Sequence, residues 1–297
     1  TEGVFKTVLN VAAFSSAAAL PTGTSTYNRA GTMTAGLFAG GNTSTGFSTA
    51  TYEWNGSGWT SGGAIGTALY SNTGFGTQTA GASAAGRPTN GSSGDTNATF
   101  EYDGSSWTSV NAANLAARTR QSFGIQTAAA MVGGFSQSGG SYTNATEEYD
   151  GTNWTTVTVM PAATASANAI GTQTAAIVSL GGAPTVATTY VAYDGTNWTS
   201  SPSANIARAR SAAGGTGATS TAGLVIGGTP YNPSVVAETW DGTSWANSAS
   251  ITTARYGAGV SDGNTNGIIA GGRTAPGFET AVEEFTVVTT ARNITTS

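Results

Sequence analysis

Short apolar runs alternate along the chain with runs of Gly, Ser, Thr and Asn. The alternation recurs about every 46 residues, the spacing of a repeated supersecondary unit. In the unit around Trp154, the apolar stretches Ser122–Ile125 and Ala128–Val132 flank the tight turn Gln126-Thr127, which predicts a hairpin. The second stretch ends at Gly133-Gly134 and is followed by a variable loop. Asn144–Tyr149 then shows the period-2 alternation of a half-buried strand. Asp150-Gly151 supplies a turn that tolerates positive φ, and Trp154 opens a fourth strand.

The same unit returns at Ala50–Trp59, Ala98–Trp107, Tyr190–Trp198 and Ala237–Trp245. Its tryptophans Trp59, Trp107, Trp154, Trp198 and Trp245 lie 48, 47, 44 and 47 residues apart. A glycine pair marks the end of the apolar run at Gly40-Gly41, Gly133-Gly134, Gly181-Gly182, Gly227-Gly228 and Gly271-Gly272, with Ala85-Gly86 in the second unit. Six such units predict an all-β chain. The expected fold is a six-bladed β-propeller of four-stranded antiparallel blades, with residues 1–297 as one domain. The regularly spaced aromatics and glycines are then blade architecture, with Gly and Ala allowing close approach of strands near the axis.

The sixth unit has Ala281–Phe285 in the place of the third strand but no Asp-Gly turn and no tryptophan after it. Glu2–Val8 reads as a worn copy of the missing Asp-Gly-x-Trp segment. Residues 1–20 are therefore expected to close the last blade, with Val4–Val11 as its outer strand, which removes an open sheet edge. The tail Thr289–Ser297 is expected either as an extra strand beside it or as a tether.

The order of apolar run, double glycine and two spaced aromatics resembles the kelch repeat over essentially the whole chain. The resemblance implies the propeller of galactose-oxidase-like central domains. Kelch units set the two aromatics further apart; only four residues, Asp150 to Asn153, intervene here. With that departure, runs such as Ala145–Trp154 are similar to repeats found in structural proteins of tailed phages. A propeller by itself fixes no function.

Charged residues are 8% of the chain, and Gly/Ser-rich, weakly charged sequence can be disordered; seven Trp, ten Tyr and ten Phe at recurring places argue for a packed core instead. The net charge is −5, with nine Arg and the single Lys6 forming no basic stripe, so nucleic-acid binding is not expected. No apolar run approaches the ~20 residues that span a bilayer, so no membrane insertion is expected. No secretory leader is visible from Thr1 onward. Scarce lysine with abundant Ser, Thr and Asn is the composition expected on a virion or extracellular surface.

The chain has no histidine and no cysteine. That removes Ser/His/Asp and Cys/His relays and the usual zinc and copper ligand sets. The copper chemistry of kelch-type oxidases therefore does not carry over. Glu147-Glu148 and Glu283-Glu284 are adjacent in strands, so their side chains point to opposite faces and form no dyad. They are expected to be solvated or paired with the arginines that precede inner strands, Arg120, Arg210 and Arg255. Asp262–Gly267 matches half of a calcium loop, but Arg273 stands where the bidentate acid belongs, so an Asx turn is expected. Gly133-Gly134 has neither a helix start nor a following Lys and cradles no phosphate. No catalytic residue, metal or cofactor is expected.

The turns between first and second strands are nearly uniform: Gly76–Thr79, Gly124–Thr127 and Gly171–Thr174. The loops after the glycine pairs differ from unit to unit and emerge on the opposite face. Divergent loops on a rigid scaffold are the usual construction of a binding surface. Phe47, Arg87, Tyr142, Tyr231, Asn232, Arg273 and Phe278 are the candidate binding residues there. The expected function is a non-enzymatic tail or capsid-fibre component on a virion surface, present in several copies, contacting other virion proteins and host glycans. The alternative is a secreted or cell-surface bacterial propeller that mediates protein contact.

Overall fold

The computed structural model describes residues 5–25, 28–88, 94–180, 183–205, 212–214, 220–229, 233–261, 265–274 and 277–294. Every regular element among them is a β-strand. Six four-stranded antiparallel sheets form the blades of a β-propeller. Blade three shows the plan: Gln121–Ile125, Ala128–Val132, Thr146–Tyr149 and Trp154–Val157, each paired to the next. The inner strands of the six blades touch one another in cyclic order, the sixth against the first, so the ring is closed.

The core lies between blades. Ala129 and Met131 pack with Phe75 and Ala82 of blade two, whereas Ala130 and Val132 pack with Ala169 and Val178 of blade four. A second strand buried on both faces favours apolar residues along its length, which is why it reads as a nearly continuous run, with the small Ser83 and Ser179 as buried polar exceptions. Across each Asp-Gly hairpin the paired aromatics meet: Tyr149 and Trp154 at 4.9 Å, Tyr193 and Trp198 at 4.6 Å, Trp240 and Trp245 at 5.3 Å between ring centroids. The turn aspartates Asp150, Asp194 and Asp241 each accept two backbone N–H bonds, which hold their carboxyls below the usual range.

The same aromatics also tie neighbouring blades. The hydroxyls of Tyr102, Tyr149 and Tyr193 donate to Glu53, Glu101 and Glu148 of the preceding blade. Burial first, and these carboxylates second, push the three phenols well above their ordinary range. The uniform turns act as clamps. Gln126 Nε2 donates to the carbonyls of Gly81 (2.9 Å) and Tyr102 (3.2 Å), and Gln78 and Gln173 repeat this on blades one and three. The glycine pair is a backbone requirement: Gly133 and Gly134 have φ of 60° and 113°, and a Cβ on Gly134 would stand 2.9 Å from the Arg118 carbonyl oxygen. Ala85 (φ 59°) and Gly86 (φ 103°) adopt the same conformation, the alanine bearing the left-handed strain.

The adjacent glutamates have separate tasks. Glu147 is buried and paired with Arg120, and Glu283 is buried 2.8 Å from Arg255; neither is solvated. Glu147 also accepts from the backbone N–H groups of Asn114 (2.6 Å) and Leu115 (3.2 Å) in the segment arriving from blade two. Arg210 lies outside the described residues, as do Gly181-Gly182 and the start of the Asp262 loop.

Blade six closes differently from expectation. Its third strand runs on as Val282–Ile294, so residues 289–294 continue that strand and are neither a separate strand nor a tether. Phe5–Ala17 pairs antiparallel along all of it, with Phe14 opposite Phe285 and Phe5 opposite Ile294. Phe14, not Phe5, therefore holds the missing tryptophan's place, its ring 5.0 Å from Phe285. Along this long strand Asn266–Ala270 reaches no further than Val282–Thr286, so Ala13–Ala17 completes the four-stranded part of the sheet. Residues 5–12 and 287–294 extend past it as a two-stranded ribbon. Val4 lies outside the described residues.

Candidate functional site

Each first strand starts, and each second strand ends, on the face that carries the divergent loops. There the first residue after the glycine pair bridges back to the segment leading into its own blade. The pairs are Ser25 with Asn42, Tyr70 with Arg87, Arg118 with Phe135, Ala165 with Ala183, and Tyr256 with Arg273. The loops therefore differ in sequence yet share fixed bases.

Inside this rosette the lead-in segments circle the axis. Ser71, Thr119 and Ser166 hold φ of 54°, 55° and 53°, and Gly257 at the equivalent place holds 62°. Thr119 N donates to the Ser71 carbonyl and Ser166 N to the Thr119 carbonyl, both at 3.0 Å, so adjacent blades are stitched around the mouth of the central channel. Three non-glycine residues in left-handed conformation at one place are a concentration of local strain of the kind that gathers at functional sites.

The mouth opens into a cavity of about 130 Å³. Arg29, Tyr70, Ser71, Asn72, Arg120 and Gln121 line it, together with Tyr256 and Arg273. Its described lining includes no Asp or Glu. Ser71 and Asn72 are buried, and neither Ser71 Oγ nor Asn72 Oδ1 has a hydrogen-bond partner. The buried Arg120, though paired with Glu147, leaves Nε without one.

Of the residues singled out by sequence, Arg273 lines this mouth, its guanidinium 4.9 Å from the half-buried Phe278 ring. Phe47 is half-buried and stacks on Tyr70 at 5.1 Å, and Arg87 is half-buried in the short ribbon with Tyr70. These two support the wall instead of projecting freely. Tyr142 is 39% exposed at the tip of a ribbon, edge-on to Phe135 at 5.2 Å, and Arg118 lies 4.6 Å over the other ring of that pair while bonding Asp95 of the neighbouring loop. Tyr231 and Asn232 lie outside the described residues. The lead-in residues Tyr70, Ser71, Thr119, Ser166 and Tyr256 were not among the candidates. Their signal is a polar step placed just before an apolar inner strand in unit after unit.

Fold and mouth together define a closed six-bladed propeller with a polar axial opening on its variable face. Among solved structures the chain is similar to the propeller YjhT, with a TM-score of 0.73 and 15% sequence identity over 93% of this chain and 99% of that one. At that identity the likeness is one of fold. No family model and no curated protein matches the sequence.

Proposed function

We propose that this chain is a non-enzymatic, kelch-like propeller displayed on a virion surface as part of a tail or capsid fibre, where its loop face binds host-surface glycans. The observation that carries the reading is the contrast between the two faces: Gln-clamped turns on one, divergent loops with fixed bases and the exposed Tyr142 on the other. The phage-type hairpin at Ala145–Trp154 supports the virion setting.

The disposition of carboxylates supports a non-catalytic role. Glu53, Glu101 and Glu148 hold tyrosines, Glu147, Glu238 and Glu283 fasten connections between blades, and the hairpin aspartates cap turns. With no histidine or cysteine in the sequence, few groups remain for acid–base or nucleophilic work. Rings beside Asn, Ser and Thr suit stacking on sugars with hydrogen bonds to hydroxyls, each contact weak and strengthened by several copies acting together.

A multivalent form probed on a glycan array is expected to bind a defined set of saccharides, and Tyr142→Ala is expected to lower that signal about tenfold, the loss of one aromatic contact of ~1.4 kcal/mol. Absence of binding to every glycan would turn the reading toward protein contact.

A further inference from the structure

We infer that Asn55 is a self-modifying site, where the fold promotes conversion of the asparagine in the first blade's outer hairpin to aspartate. The inference stands apart from the glycan reading and holds whether or not the loop face binds sugars. Blades two to five turn this hairpin with Asp-Gly, at Asp103, Asp150, Asp194 and Asp241, whereas blade one has Asn55-Gly56. The bonds to the side chain are nevertheless the same. Asn55 Oδ1 accepts from Ser57 N (3.0 Å), Gly58 N (2.9 Å) and the Ser57 hydroxyl (3.0 Å). Asp103 Oδ1 accepts from Ser105 N, Ser106 N and the Ser105 hydroxyl, each at 2.8 Å. The cross-strand pair Trp54 and Trp59 fixes the hairpin, and Asn55 N donates to the Gly58 carbonyl at 3.2 Å.

This geometry suits attack of the chain on its own side chain. An Asn carbonyl bonded to the N–H two residues on closes a ring of atoms around the intervening peptide, which sets Cγ of Asn55 beside Gly56 N. Glycine has no side chain to cover that nitrogen, and Asn55 and Ser57 are exposed, so water reaches the turn. Gly56 N gives its proton to water and bonds to Cγ. Negative charge develops on Oδ1, where three donors already point, the arrangement of an oxyanion hole. The carboxamide nitrogen takes a proton and leaves as ammonia, and a cyclic imide remains. Water then adds at Cγ under the same donors, the bond from Cγ to Gly56 N breaks, and that nitrogen recovers its proton. The net change is asparagine and water to aspartate and ammonia. Water adding instead at the main-chain carbonyl would give isoaspartate and lengthen the hairpin backbone by one atom; the donors stand at Oδ1 and favour ordinary aspartate.

The product fits the turn. In the other four hairpins the same backbone N–H bonds hold the carboxyls below their usual range, and a charged acceptor strengthens such bonds. The chain has two further Asn-Gly steps, at Asn90 and Asn266. Asn90 lies outside the described residues. Asn266 is exposed too, but it opens the strand Asn266–Ala270, with Gly267 held in the sheet opposite Phe285, so its backbone is kept extended.

The test is mass spectrometry of peptides from the intact chain, incubated at mildly alkaline pH either folded or in denaturant, with fragmentation that separates aspartate from isoaspartate. In the folded chain Asn55 is expected to convert about tenfold faster than Asn266, and mainly to aspartate. In denaturant the two are expected to convert at similar rates. Ser57→Ala is expected to slow Asn55 about threefold, less than the loss of a buried oxyanion donor because the turn is exposed. Asn55→Asp, which mimics the product, is expected to melt no lower than the parent chain. The inference is overturned if Asn55 converts no faster than Asn266 in the folded chain, or outpaces it equally in denaturant. Isoaspartate as the main folded-state product, an unchanged rate in Ser57→Ala, or a lower melting temperature for Asn55→Asp overturns it as well.

Discussion

Deleting residues 1–17 is expected to abolish the cooperative melting transition and to leave an aggregating chain. Ala13–Ala17 is the outer strand of blade six, and Phe14 covers Phe285, which is fully buried. Without it the 13-residue strand Val282–Ile294 becomes an unpaired edge, open to pairing with a second molecule. The cluster of Leu224, Ile226, Ile269 and Phe285 between blades five and six loses Ala12 and Phe14 from its margin. Deleting residues 1–11 alone removes most of the ribbon beyond the blade and leaves Phe14 in place. This shorter deletion is expected to keep a cooperative transition. Differential scanning calorimetry and light scattering of the two deletions check the assignment; equal melting of the 1–17 deletion and the intact chain contradicts it.

The second large effect is expected at the buried ion pair of blade three. Arg120 and Glu147 are almost fully inaccessible, and the pair links the inner strand, the third strand and the arriving segment at Asn114-Leu115. Burial pulls the guanidinium below its ordinary range, and the Glu147 charge opposes that pull. Replacing Arg120 with Met strands a buried carboxylate at a cost of about 3–5 kcal/mol. In a chain of this size that corresponds to a melting temperature lower by on the order of ten degrees. The double replacement Arg120→Met with Glu147→Leu removes both charges and is expected to recover most of the loss, because the desolvation penalty disappears with them. A double variant no more stable than Arg120→Met would mean that the contacts of Glu147 with the arriving segment outweigh its charge balance.

Much of this architecture is legible in the chain. The double glycine, the Asp-Gly hairpin and the aromatic pair mark strand ends because left-handed backbone and cross-strand packing restrict which residues fit. The partner for blade six was legible too, though it is Phe14 and not Phe5: Phe14 lies 45 residues before Trp59, within the repeat spacing. The Glu-before-aromatic position carries a relation between blades, since Glu53, Glu101 and Glu148 each precede a blade with tyrosine. After Ala192 the next blade has Trp240, which instead bonds the Ser220 carbonyl. The axial mouth was not legible. Its wall draws one short segment from each of several blades, and no linear pattern brings Tyr70, Thr119, Ser166 and Tyr256 together until the ring closes. The packing of Phe47 is not legible for a similar reason, because its stacking partner Tyr70 belongs to the next unit.

The central claim, that the loop face is the working face, is tested most directly by blocking one face at a time. The chain has no cysteine, so a single one can be introduced at the exposed Ser138 of the loop face or the exposed Thr127 of the clamped-turn face. Each variant is coupled to a bulky polymer and assayed in multivalent form for glycan binding. The account predicts that the adduct at position 138 abolishes binding and that the adduct at position 127 leaves it intact. Binding lost with the adduct at 127 and retained with the adduct at 138 would contradict it.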